Sequence, residues 1–210
     1  MYILERLACK SGRDDETPNI ELAEELCRSN DAEGVREIVD GFTGSDRSVA
    51  NDCIKVLYEI GERKPELIIG YVDEFISRLR SDNNRLAWGS MTALAKIVDQ
   101  APKQIYMKLS MVAAAYEDGS VITVDNSVSV FAGLCKADKL YAGEILPLLI
   151  KHLQKCRPKT VPQHAERMSV CFDGGNAVAF IEVLEKQLPV LTAAGQTRVK
   201  KLLKKLYGMA

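Results

Sequence analysis

The sequence predicts an all-α chain built from stacked helix pairs, and three observations carry that prediction. One pattern is written three times between residues 46 and 156 at a spacing of 37, with copies beginning at Asp46, Asn83 and Ser120. Inside each copy the apolar residues recur with the period of an α-helix rather than the alternation of a strand. Hairpin signals are scarce, and aliphatic residues dominate the 47% hydrophobic content, with aromatics at only 6% of the chain. A lone helix pair cannot bury both of its apolar faces, whereas stacked neighbours can. Repetition therefore points to an α-solenoid of about four to five helix pairs, in one elongated domain over residues 1–210.

The first helix of the repeat is read from five aligned sets: Val49, Leu86 and Thr123; Cys53, Ser90 and Ser127; Val56, Ala93 and Val130; Leu57, Leu94 and Phe131; Ile60, Ile97 and Leu134. They fall at i, i+4, i+7, i+8 and i+11, one stripe of a helix. The small residue at the second position lets another helix come close. The second helix is read from Val72, Leu109 and Leu146; Phe75, Val112 and Leu149; Ile76, Ala113 and Ile150; Leu79, Tyr116 and Leu153. Pro65 and Pro102 align between the two halves, where a residue without an N–H ends one helix or begins the next.

Residues 1–45 form an N-terminal cap and a partial repeat. Ile3, Leu4 and Leu7 suggest a short apolar helix within 1–10, and the polar stretch 11–18 reads as a loop. A helix over 19–30 buries Leu22, Ala23, Leu26 and Cys27. Asp31 is placed to cap the next helix, whose stripe is Val35, Ile38, Val39 and Phe42. Asp118 and Gly119 mark a turn. After the three repeats of 46–156, residues 157–210 form an irregular repeat and a C-terminal cap. A proline-bearing basic connection (157–162) leads to a fourth unit over about 161–190, through Met168, Val170, Cys171, Phe180, Val183, Leu184 and Leu188. Its turn is Asp173-Gly174-Gly175-Asn176, and Pro189 closes it. The last helix, about 193–207, carries Val199, Leu202, Leu203 and Leu206.

The run Phe75–Ile97 resembles a HEAT repeat. That family follows Leu-x-x-Leu with an Asp-bearing turn and then Val-Arg-x-x-Ala-x-x-Ala-Leu. Here Asp82 stands in the turn, Leu86 at the Val position, Ser90 at the Ala position, and Ala93-Leu94 as Ala-Leu; Asp46, Val49, Cys53 and Val56-Leu57 repeat the match. The resemblance spans about residues 31–190 and implies a right-handed α-α superhelix, HEAT-like or armadillo-like. The family's Arg is replaced by Ala50, Ala87 and Val124, so its Asp–Arg ladder between repeats is not expected. By the same resemblance the first helices line the concave face. The expected partner-binding residues are then Asn51, Asp52, Lys55, Trp88, Thr92, Asn126 and Ser129. Trp88, the one tryptophan, aligns with the polar Asn51 and Asp125; it is either a groove residue or a partly buried packing residue.

The chain carries a formal charge of −1, unevenly spread: residues 1–105 are net −6 and residues 106–210 net +5. Arg198, Lys200, Lys201, Lys204 and Lys205 lie opposite the leucine stripe of the last helix. They read either as an electrostatic patch for nucleic acid, anionic membrane or an acidic partner, or as a solvated face suited to a helix C-terminus. The six cysteines include no C-x-x-C pair and suggest a reducing compartment. No signal-peptide core and no membrane-length apolar run is seen, so a cytoplasmic location is expected. His152 and His164 stand twelve residues apart on either side of a proline turn and are not expected to form a metal pair. The 173–176 turn lacks the Lys-Ser/Thr of a phosphate loop. No cofactor is implied.

The expected function is a non-catalytic scaffold for a protein or peptide partner on the concave surface. The alternative is a nucleic-acid-binding protein using the basic C-terminal half. HEAT-like DNA-repair glycosylases share that architecture, but none of their catalytic residues can be placed on this chain.

Overall fold

The computed structural model describes residues 2–13, 15–173 and 175–208, and among these residues every regular element is helical. Twelve α-helices run in chain order: α1 Thr17–Ser29, α2 Ala32–Thr43, α3 Arg47–Arg63, α4 Val72–Arg78, α5 Asn84–Ile97, α6 Pro102–Tyr106, α7 Leu109–Glu117, α8 Val121–Ala137, α9 Lys139–Lys155, α10 Val161–Met168, α11 Val178–Gln187 and α12 Ala193–Tyr207. The chain divides into two compact units, Met1–Ser127 and Val128–Ala210. Among the described residues no helix is long and apolar enough to cross a membrane.

The 37-residue spacing is a spacing of helix starts. Helices α3, α5 and α8 begin at 47, 84 and 121, each one residue after the first residue of a copy. Those preceding residues act as caps, giving side-chain oxygens to N–H groups that the first helical turn leaves without partners. Asp46 accepts from Ser48 at 2.9 Å and Val49 at 3.1 Å, Asn83 from Arg85 at 3.2 Å, and Ser120 from Thr123 at 3.3 Å. All fifteen residues of the first-helix stripe are buried. The second-helix stripe fades along the chain. Val72, Phe75, Ile76 and Leu79 are buried, then Val112 alone, then Leu149 and Leu153.

In the first unit α3 packs against α1, α2 and α5, and α4 packs on α5. The small residues do allow close approach. A Cβ on Gly41 of α2 would come within 2.8 Å of the Cys53 sulfur, and one on Gly89 of α5 within 2.6 Å of Ile54. Pro65 opens a 3-10 turn (Pro65–Leu67) and Pro102 opens α6, so each proline starts the second half of its copy. The N-terminal apolar segment is a 3-10 turn, Ile3–Arg6, with Leu7 buried. Asp31 caps α2 through Gly34 at 2.8 Å.

In the second unit α9 contacts α10 and α11, and α12 contacts both α10 and α11. Helix α12 has the expected bounds and buries Val199, Leu202, Leu203 and Leu206. Val170, expected in the core, is instead exposed, because Ser169–Cys171 tightens into a 3-10 turn that aims Cys171 inward. Gly174, part of the expected turn at 173–176, lies outside the described residues, as does Asp14 of the expected loop at 11–18.

Leu94 is fully buried on α5. Leu94→Ala should cost about 2–5 kcal/mol in urea unfolding, the transfer free energy plus the cavity left behind. A loss under about 0.5 kcal/mol, the scale of a surface change, would mean that this stripe does not face the core.

Candidate functional site

The face expected to bind a partner is built on α3, α5 and the start of α8, and side chains that cross between neighbouring helices tie it together. Asn83 donates from Nδ2 to Asn51 Oδ1 at 2.7 Å, and Asn126 donates from Nδ2 to Thr92 Oγ1 at 3.0 Å. Lys96 of α5 pairs with Glu62 of α3, and Arg63 of α3 with Glu24 of α1 at 3.1 Å. Thr92 also donates to the Trp88 carbonyl at 2.8 Å. The Trp88 ring is tilted against Tyr58 with centroids 5.9 Å apart, and the Arg85 guanidinium lies 6.0 Å from it. Trp88, Thr92, Asn126, Asn51 and Asp52 are all partly exposed, so Trp88 is at once a packing residue and a surface one. Ser129, also partly exposed, falls in the second compact unit.

Lys55 is not displayed to solvent as the sequence reading expected. It is 7% exposed, the one buried Lys, Arg, Asp or Glu among the described residues. Its ammonium sits 2.7 Å from Glu59 and 3.1 Å from Glu16, and 4.8 Å from the Tyr58 ring centroid. Glu16 also pairs with Arg85. The physical reason is that an ammonium leaves water only when carboxylates replace its hydration. The residues that supply this cover come from the N-terminal connection. The Cys9 N–H donates to Asp52 at 2.8 Å, Lys10 approaches Asp46 at 3.9 Å, and Glu16 closes over Lys55. Part of the expected groove is thus met by the chain's own Cys9, Lys10 and Glu16.

Electrostatics follow that geometry. Burial would lower the Lys55 pKa, but hydrogen bonds to Glu59, Glu16 and Tyr58 outweigh it and hold the ammonium well above the ordinary lysine value. Burial would raise the Glu59 pKa, yet hydrogen bonds from Lys55 and Arg63 keep it below the ordinary glutamate value. Cys9 is pushed up to about 11, first by burial and then by the Asp52 carboxylate, which disfavours a reactive thiolate there.

The basic stretch of α12 divides in two. Arg198 is held by Glu166 through two hydrogen bonds, at 2.9 and 2.5 Å, while Lys200, Lys201, Lys204 and Lys205 are exposed on the side opposite the buried leucines.

The structure also brings together residues that spacing kept apart. His152 Nε2 and His164 Nδ1 are 2.8 Å apart in a buried hydrogen bond, with ring centroids at 4.9 Å. No expectation of this contact comes from the sequence, which reads the two histidines only as not forming a metal pair. The connection 156–160 folds α10 back beside α9, so twelve residues of chain close to one hydrogen-bond length. Cys156 lies one helical turn beyond His152 and joins the cluster. The one signal in the sequence was that His152-x-x-x-Cys156 spacing, which puts both on one helix face.

No family model and no curated protein matches this chain. Two crystal structures described as engineered proteins, from the Northeast Structural Genomics Consortium, are similar to it. One aligns with a TM-score of 0.70 at 18% identity over 100% of this chain and 98% of its own. The other aligns with a TM-score of 0.64 at 18% identity over 99% of this chain and 100% of its own. The likeness is one of fold.

Glu59 gives a pH prediction. Its folded pKa is depressed, so the stability it contributes is complete above the unfolded glutamate value, about 4.3, and is lost as pH falls through the lower folded value. Glu59→Gln should flatten the acid limb of stability against pH, measured by urea midpoints between neutral and acid pH. An acid limb unchanged from the parent would show that Lys55 and Arg63 do not hold this carboxylate.

Proposed function

We propose that this chain is a non-catalytic interaction scaffold. Its first unit is a stretch of HEAT- or armadillo-like α-solenoid, and the α3–α5–α8 face takes an extended peptide that carries a carboxylate. One observation carries this reading: Cys9 and Glu16 of the N-terminal connection already meet that face with the two kinds of contact such a peptide would make. A main-chain N–H meets Asp52, and the Glu16 carboxylate is shared by Lys55 and Arg85. Beside that contact the partly exposed Trp88, Thr92 and Asn126 continue the surface with one aromatic ring and two hydrogen-bonding side chains. A rigid aromatic beside adaptable polar groups is a composition favoured in peptide-binding hot spots. Helix starts at a fixed spacing of 37 support the repeat architecture, which presents such faces in series.

The test is panning of a displayed peptide library on the immobilised chain, with Trp88, the sole tryptophan, as fluorescence reporter. Selected peptides should contain Asp or Glu and shift Trp88 emission. The variant Trp88→Ala/Thr92→Ala/Asn126→Ala should lose at least about tenfold in affinity, or 1.4 kcal/mol, with its helicity unchanged. Glu16→Gln removes the internal competitor and should tighten binding. Equal capture by the triple variant, or selection of peptides without acidic residues, would refute the assigned face.

A further inference from the structure

We propose that His152, Cys156 and His164 form a binding site for a zinc-class transition-metal ion in the second unit. This rests on side chains of that unit alone and is independent of the scaffold reading.

The donors are already assembled. One ligand atom from each of the three residues lies within 4.8 Å of the others, and the two imidazole nitrogens stand 2.8 Å apart. Tetrahedral zinc holds nitrogen at about 2.0–2.1 Å and sulfur at about 2.3 Å, which places neighbouring donors roughly 3.3–3.6 Å from one another. The imidazoles need to part by about half an ångström, and the thiol to close by about one, to meet that geometry. Side-chain rotation covers such distances without moving a helix. Two imidazoles and a thiolate are the borderline-soft donor set that selects zinc and its neighbours over magnesium or calcium.

The frame around the cluster holds without an ion. The Cys156 N–H donates to the His152 carbonyl at 2.8 Å, which fixes the two residues on the last turn of α9. Gln187 of α11 donates to the Leu153 and Gln154 carbonyls at 3.1 and 3.2 Å, covering the carbonyls that the end of α9 leaves without helical partners. The His164 N–H donates to the Thr160 carbonyl at 3.0 Å, which sets the first turn of α10. A site whose supporting backbone is fixed beforehand binds with little loss of conformational freedom.

His152 and His164 are 6% and 1% exposed, whereas Cys156 is partly exposed. The ion therefore enters on the Cys156 side, and the coordination position left by three protein ligands takes a water there. On binding, the Cys156 thiol gives up its proton to solvent, and the imidazole that holds the shared hydrogen changes tautomer, carrying that hydrogen on its other ring nitrogen, so that both facing nitrogens are free to bind the metal. The ion would fasten α9 to α10 across the connection 156–160.

Titration with Co2+ tests the proposal, since cobalt takes the same geometry with visible bands. The expected result is one equivalent bound, with tetrahedral d–d bands and a thiolate-to-cobalt charge-transfer band, all displaced by Zn2+. Cys156→Ser should abolish the charge-transfer band. His164→Gln should weaken binding by more than about 100-fold, beyond the 10–100-fold typical of groups that only orient a ligand. Because a buried histidine variant can misfold, alkylation of the unmodified chain is followed by mass spectrometry as well. Zn2+ should slow modification of Cys156 at least about tenfold, as expected when a coordinated thiolate stops acting as a nucleophile, and leave Cys9 unchanged. The absence of bound cobalt, spectra identical in the parent and Cys156→Ser, or no protection of Cys156 would each overturn the site.

Discussion

Helix α3 has to be covered on three sides, and most of the first unit follows from that. Val49, Ala50, Cys53, Ile54, Val56, Leu57 and Ile60 are all buried, which is wider than the stripe of a surface helix. Helices α1, α2 and α5 supply the cover, and two of them come close because they present glycine: Gly41 against Cys53 and Gly89 against Ile54. Surrounding α3 this completely takes Lys55 out of water too. Its charge then requires carboxylates. One comes from its own helix, a turn later, as Glu59; the other, Glu16, comes from the connection before α1. A packing requirement in the core thereby decides where the N-terminal segment lies, and with it how much of the α3 face is open.

The cross-helix hydrogen bonds between α3, α5 and α8 are neutral where the resemblance read from the sequence would look for an Asp–Arg ladder. With Ala50, Ala87 and Val124 at the Arg position, no guanidinium is available there. Neutral bonds cross between the helices instead. The cap residue of α5, Asn83, reaches Asn51 of α3, and Asn126 of α8 reaches Thr92 of α5. Amide bonds of this kind are insensitive to salt, unlike exposed ion pairs. The register of α3 against α5 therefore rests on these and on apolar contact, with the Glu62–Lys96 pair at the rim.

The fold was legible where a local rule and a packing rule agree. Asp46, Asn83 and Ser120 could be read as the residues before helix starts because a cap residue and an apolar stripe coincide at one spacing, and all fifteen stripe positions are buried. The second helices were less legible. Leu109 and Ala113 remain partly exposed although α7, Leu109–Glu117, spans the whole expected stripe. Val170 was misplaced because a 3-10 turn changes the angle between successive side chains from 100° to 120°. At the candidate face the residue types were legible and their surroundings were not. Nothing near Lys55 in sequence announces that Glu16, thirty-nine residues earlier, covers it.

The histidine–cysteine cluster shows the limit of counting along the chain. His152 and Cys156 share a helix face and could be paired from spacing alone. His164 joins them only because α10 turns back on α9, a fact of tertiary packing. At 2.8 Å the two buried imidazoles have room for one hydrogen between their facing nitrogens. The same two helices otherwise bury mainly apolar side chains, Leu149 and Leu153 on α9 and Val161, Ala165 and Met168 on α10. Buried polar groups cost stability unless a specific partner offsets the desolvation. The hydrogen bond between the two rings is one such partner, and the proposed ion would bind both rings and the Cys156 sulfur. The donor set gathered there, two imidazoles and a thiol, is the physical reason to regard this cluster as a site rather than as packing.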